Sequence, residues 1–252
     1  MPKITKDIEG FHRSESLHRY VLSFISTVLL FILFSFYIYN RRGYYDLYIL
    51  NKIFAGIAAT QIGIILLIGS LSRMFDVFDK LLQFRKSLGI FAFLMVSPHV
   101  ISSLFLLRDH FPLERYFTTG STPFIFGLLA TIVLIILFFI SNKKTMEKIG
   151  FKTWWKIQNW GIRITFFGIA GHVFFMKLPS WQKWYVNGGN RELARPDWPG
   201  LGMLIGWFMA FVIVIRIAEA INPRIGRLVW YTSIALLPLI YLFTFYWGFQ
   251  FA

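Results

Sequence analysis

Five histidines stand in the 252-residue sequence, at positions 12, 18, 99, 110 and 172, and there is no cysteine. His12 and His18 fall in a polar N-terminal tail and His110 in a loop, where solvated surface roles are expected. His99 and His172 fall inside long apolar stretches. A polar ring at membrane depth is costly and needs a partner or a cavity. His99 is twelve residues past Ser87 and His172 twelve past Trp160, the expected starts of two helices running the same way. Both imidazoles would then lie about 18 Å from one edge. Two histidines at one depth on parallel helices can bind the two faces of a single haem iron. Ala92, Ser102 and Ser103 around His99, and Gly168 and Gly171 around His172, are small enough to admit a flat macrocycle. Pro98 removes an intrahelical hydrogen bond beside the proposed ligand and should kink its helix. The same residues equally suit two membrane histidines hydrogen-bonded to neighbouring helices, and residue chemistry alone leaves both accounts open.

The elements that would position these residues are membrane helices. Hydrophobic residues make up 56% of the chain and charged ones only 15%. The apolar residues fall into seven blocks: Tyr20–Tyr39, Ile53–Leu71, Ser87–Leu107, Phe124–Ile140, Trp160–Met176, Leu201–Ala220 and Val229–Gly248. Each is about long enough to cross a hydrocarbon core of roughly 30 Å. The expected fold class is an all-α membrane protein, a bundle of about seven transmembrane helices. Residues 1–19 would be a cytoplasmic tail and residues 20–252 a single transmembrane domain. The first block shows no small-residue cleavage site and is expected to stay as a helix.

The formal charge is +14, yet its distribution points to topology and anionic lipid rather than nucleic acid. The N-terminal tail and the segments 73–86, 141–156 and 222–228 hold fifteen Lys and Arg; the segments on the other side hold nine. The positive-inside rule places the N-terminus in the cytoplasm and the C-terminus outside, in a multi-pass cell (inner) membrane protein. The longest loop is expected at Lys177–Gly200, with Trp181 and Trp184, like Tyr44 and Tyr45, in an interfacial aromatic belt. The absence of cysteine excludes disulfides, Cys-ligated clusters and a covalently attached c-type haem. There is no Gly-rich nucleotide motif, so electrons would have to come from another protein or a lipid-soluble carrier.

Other polar residues carry lesser expectations. Arg163, nine residues before His172, could bind a phosphate or carboxylate of a cofactor or snorkel to headgroups. Arg216 and Glu219 are three apart and should pair on one helical face. Gln61 should bond to a neighbouring helix. Arg108 and Lys177 flank the proposed haem where propionates would need cations. Gly202 and Gly206 form a pair through which two helices could approach closely.

The stretch Arg85-Lys-Ser-Leu-Gly-Ile-Phe-Ala-Phe-Leu-Met-Val-Ser-Pro-His99 resembles the third helix of the ferric reductase-like transmembrane family, in which an R-R/K-x-L-G segment leads to a haem-ligating histidine. Trp155-Lys-Ile-Gln-Asn159, followed thirteen residues later by His172, is similar to the family's W-K-x-L-H…H. The resemblance covers about residues 50–220 and is strongest to the haem-binding membrane subunit of the periplasmic methionine sulfoxide reductase system. It implies a six-helix core plus one C-terminal helix. It also implies haem b ligated by His99 and His172, with Gly168, Gly171 and Arg163 near the cofactor. Two-haem members carry a further histidine pair closer to the cytoplasm, where this chain has Arg85 and Asn159. Neither replaces a haem ligand, so the pattern resembles the single-haem STEAP reductases. A flavin (FAD or FMN) or a quinone is the candidate for the inner half.

The resulting expectation is an oxidoreductase subunit that moves electrons through one haem b. They would pass from a cytoplasmic flavin or quinone donor to an outer-side partner reductase or ferric ion. The alternatives are a haem-free transporter, in which His99, His172, Arg163, Arg216 and Glu219 relay protons or substrate, and a haem-free scaffold subunit.

Overall fold

The computed structural model describes the chain from residue 2 to residue 251, with side chains described from residue 17 onward. His12 lies outside the described side chains, and His18 is exposed. Among the described residues, seven helical spans are long and apolar enough to cross a membrane. These are α1 (Pro2–Arg42, crossing from Leu17), α2 (Leu47–Met74), α3 (Arg85–Ile101, within a span that runs Asp76–Leu106), α5 (Ser121–Ile140), α7 (Phe151–Asn187), α8 (Leu201–Ile221) and α9 (Pro223–Gly248). Two short helices, α4 (Leu113–Phe117) and α6 (Lys143–Ile149), lie in connections, and a 3-10 helix at Asp76–Phe84 joins α2 to α3. Asp46 caps α2 by accepting from the Ile49 amide at 2.7 Å, and Asn142 and Asn222 cap α6 and α9 in the same way.

α2 is the axis of the bundle. Its apolar window is 72% buried, whereas those of α1, α5 and α9 are mostly turned outward. Phe36, Ile125, Phe139, Leu242 and Phe243 are among the large apolar side chains left exposed, as lipid-facing positions require. Small residues let neighbours approach α2. A Cβ at Gly56 would meet Ile205 of α8 at 2.8 Å, and one at Gly63 would meet the Phe208 ring at 2.6 Å. Gln61, fully buried, donates to Thr27 of α1 at 2.6 Å, which is the inter-helix bond expected of it.

Three sequence expectations are corrected. α7 starts nine residues before Trp160 and continues through Pro179 to Asn187, so the loop expected from Lys177 is helical for its first half. The continued helix packs on α8: a Cβ at Gly206 would meet Trp181 at 2.7 Å. Trp184 is 4% exposed and bonds to the Pro196 carbonyl, so it is a packing residue rather than part of an interfacial belt. Tyr44 and Tyr45 are exposed, as a belt requires. With its longer helix, His172 is no longer at the same count from its helix start as His99. α3 gives way after Pro98 to a π-helical turn at Ser102–Leu106, closed by Leu107 N donating to Ser102 O at 2.9 Å. Such a turn is a common response to a break in the hydrogen-bond ladder.

Candidate functional site

His99 leaves α3 toward the N-terminal part of α2. Its Nδ1 lies 2.8 Å from Asn51 Oδ1 and 3.2 Å from Asn51 O. Both neighbours are carbonyl oxygens, which can only accept, so Nδ1 carries the proton and Nε2 keeps its lone pair. His172 of α7 is held in the same sense, with Nδ1 donating to the Pro123 carbonyl of α5 at 2.7 Å. The two rings are within electrostatic reach of each other, and Lys177 is within reach of both. Each imidazole is only half-buried.

Each ring is therefore bonded to a neighbouring helix. That bond also fixes the tautomer a metal-ligating histidine needs, since ligand imidazoles usually donate their other nitrogen to a carbonyl. Asn51 is itself oriented. Its Nδ2 donates to Ser103 Oγ at 3.0 Å, and the Ser103 carbonyl accepts from Tyr116 at 3.0 Å. Burial raises the Tyr116 phenol above its ordinary range, which keeps it a donor. Asn51, Pro123 and Gly127 were not singled out by sequence. A Cβ at Gly127 would meet His172 Nδ1 at 2.8 Å, so the glycine makes the space for the ring. Asn51 carried a signal, as a polar residue just inside an apolar helix; the carbonyl of Pro123 carried none.

Gly168 and Gly171 both face α5. A Cβ at Gly168 would meet Ala130 Cβ at 2.9 Å, and one at Gly171 would meet the Phe126 ring at 2.6 Å. They seat α7 closely on α5 and so set the position of His172. Arg163 lies toward the other end of α7, with its guanidinium 5.0 Å from the Trp160 ring centroid. Arg108 is exposed, and His110 is exposed and stacked on Tyr48 at 4.3 Å.

Arg85 and Asn159 come together at the opposite end of the bundle, lining a cavity of about 220 Å³ with Lys86, Trp154, Trp155 and Gln158. Phe138, which also lines it, stacks on Phe93 of α3 at 4.1 Å, and Phe93 lies between Arg85 and His99 in sequence. One bundle thus holds a histidine pair at one end and, at the other, a largely apolar, aromatic-walled cavity with Arg85, Lys86, Gln158 and Asn159 at its wall.

Residues 57–169 match the family described as ferric reductase like transmembrane component. The matched stretch contains His99, Arg85 and Asn159 and ends just short of His172. No curated protein matches the chain. The matched stretch covers α3, α5 and parts of α2 and α7, the helices that carry both histidines and the cavity. Among the described residues no three His, Cys, Asp or Glu gather as a metal site. A site built on two protein ligands falls below that count.

Proposed function

We propose that the protein is a membrane electron-transfer subunit holding one haem b between Nε2 of His99 and Nε2 of His172. The observation that carries this reading is the shared tautomer. Both Nδ1 atoms donate to carbonyl oxygens on neighbouring helices, which leaves two Nε2 lone pairs on rings within electrostatic reach of each other. Bound there, the haem supplies one-electron redox chemistry. The chain's own part is to hold the rings, exclude water with the surrounding apolar helices, and place Lys177 where it can pair with carboxylates. Gly127, Gly168 and Gly171 serve by position, bringing α5 and α7 close enough for the Pro123 carbonyl to reach His172.

The charge asymmetry supports an orientation with the Arg85 end in the cytoplasm and the Lys177 end outside, in an inner membrane. The cavity beside Arg85 and Asn159 is where a donor would engage. At about 220 Å³ it suits a quinone ring or the edge of a flavin rather than a whole dinucleotide. The acceptor on the other side is a partner reductase or chelated ferric ion, in keeping with the name of the matched family.

The deciding measurement is a pair of absorption spectra, oxidised and dithionite-reduced, on the purified chain with haem quantified. A low-spin b-type spectrum at one haem per chain is expected. A colourless protein from cells supplied with haem overturns the reading, and two haems per chain overturn the single-haem assignment. Asn51→Leu provides a finer test, because it removes the acceptor that orients His99 without touching the ring. Haem affinity should fall by about 10- to 100-fold, with the reduction potential moving upward as the ligand becomes a poorer donor. An Asn51→Leu protein with unchanged haem retention and potential would remove Asn51 from the site.

A further inference from the structure

Four arginines and one carboxylate gather where α2 meets α3. Glu219 of α8 is 3% exposed and takes Arg73 Nε at 2.9 Å and Arg216 Nη1 at 3.0 Å on its two oxygens. Arg216 also donates to Ser70 Oγ at 2.9 Å. Arg85 and Arg163 complete the group. Arg85 is within electrostatic reach of Arg73 and Arg163, Arg163 of Arg73 and Glu219, and Arg216 of all of them. The Arg85 guanidinium lies beside Gly69 of α2, where a Cβ would stand in ordinary contact with it at 3.8 Å. Asp79, on the 3-10 helix, is engaged by the Ser72 hydroxyl.

The arrangement is unbalanced in charge and in hydrogen bonding. One carboxylate faces four guanidinium groups, and both oxygens of that carboxylate are taken by Arg73 and Arg216. Among the described residues, the Nε atoms of Arg85 and Arg163 are buried with no hydrogen-bond partner. A guanidinium cannot shed its proton to escape this, and an unpaired buried donor is costly. An anion with several oxygens would meet both deficits at once. Arginine forks match phosphate geometry with paired N–H···O bonds.

We propose that Arg85 and Arg163, backed by Arg73 and Arg216, form a binding site for a phosphate group. The phosphate belongs either to an anionic lipid headgroup or to a soluble phosphate compound, and the chemistry of recognition is the same for both. The site does not depend on haem ligation by His99 and His172, which lie toward the other end of the same helices.

Equilibrium binding of labelled inorganic phosphate to the delipidated full chain, in chloride buffer, tests the site. The same measurement is repeated in phosphatidylcholine and in phosphatidylglycerol nanodiscs. Saturable binding is expected, weakened about tenfold or more by Arg85→Met or Arg163→Met because each removes a charged fork. Arg85→Lys and Arg163→Lys keep the charge and stem where a methionine variant fails to fold, and should also weaken binding. Glu219→Gln, which removes the competing carboxylate, should tighten it. Phosphate binding that survives in phosphatidylglycerol discs assigns a soluble source. Binding seen in phosphatidylcholine discs but blocked by phosphatidylglycerol assigns the lipid headgroup. Absence of saturable binding in every arm, or binding indifferent to both arginines, overturns the proposal.

Discussion

His172→Ala is expected to abolish the low-spin b-type spectrum, and His99→Ala to do the same, while each variant still inserts and folds. Each imidazole is held to the protein through Nδ1, His172 by Pro123 O and His99 by the two Asn51 oxygens. Losing one such bond should cost about 1 kcal/mol of stability, far less than the loss of an axial ligand costs the cofactor. A purely structural histidine predicts the reverse: lowered stability and no spectral consequence. The cavity left at residue 172 sharpens the test. Free imidazole added to His172→Ala can donate to the vacated Pro123 carbonyl and present its other nitrogen, because Gly127 leaves the space open. The spectrum should return with imidazole. Adding Gly127→Leu to His172→Ala fills that space, and the rescue should then fail. Spectra of the single variants indistinguishable from the parent would exclude both residues as ligands.

The seven crossings were legible because apolar blocks of the required length are hard to produce by accident. His99 and His172 stood out because the membrane makes any polar ring conspicuous. Partners across helices were not. Nothing in the spacing of α3 says that His99 will meet Asn51, since that depends on the packing of α2 against α3. Gly127 is hidden for the same reason: its role is to avoid a ring that arrives from α7. The end of α7 was misread because Lys177–Asn187 is rich in polar and aromatic residues and includes Pro179, which looks like a stop. Trp181 seated on Gly206 and Trp184 buried under the return segment hold that stretch helical. Arg163 and Arg216 looked like isolated cations, and the pairing of Arg216 with Glu219 was legible from their spacing alone. That Arg73, from the end of α2, shares the same carboxylate is a fact of tertiary packing.

Glu219→Ala should be among the most destabilising single changes in the chain. The carboxylate is 3% exposed, and its Arg216 partner is 13% exposed. Breaking a buried pair by removing one member typically costs about 3–5 kcal/mol, because the remaining charge is left unpaired. Here three further guanidinium groups stand within reach and add repulsion. Arg73 is 47% exposed, so its bond to Glu219 should contribute no more than about 1 kcal/mol and Arg73→Met should be mild. The argument concerns the orphaned charge rather than the bridge itself, and the two are separable. In Glu219→Ala/Arg216→Met both charges are gone and the methionine retains much of the arginine stem's volume. Replacing a buried pair by packed apolar groups is often neutral, so the double variant should recover much of the thermal stability lost in Glu219→Ala. A melting series in one detergent, covering both single variants and the double, reads this directly. A double variant less stable than Glu219→Ala would mean that Arg216 stabilises the bundle through Ser70 and its own packing, and that the carboxylate does not govern the cluster.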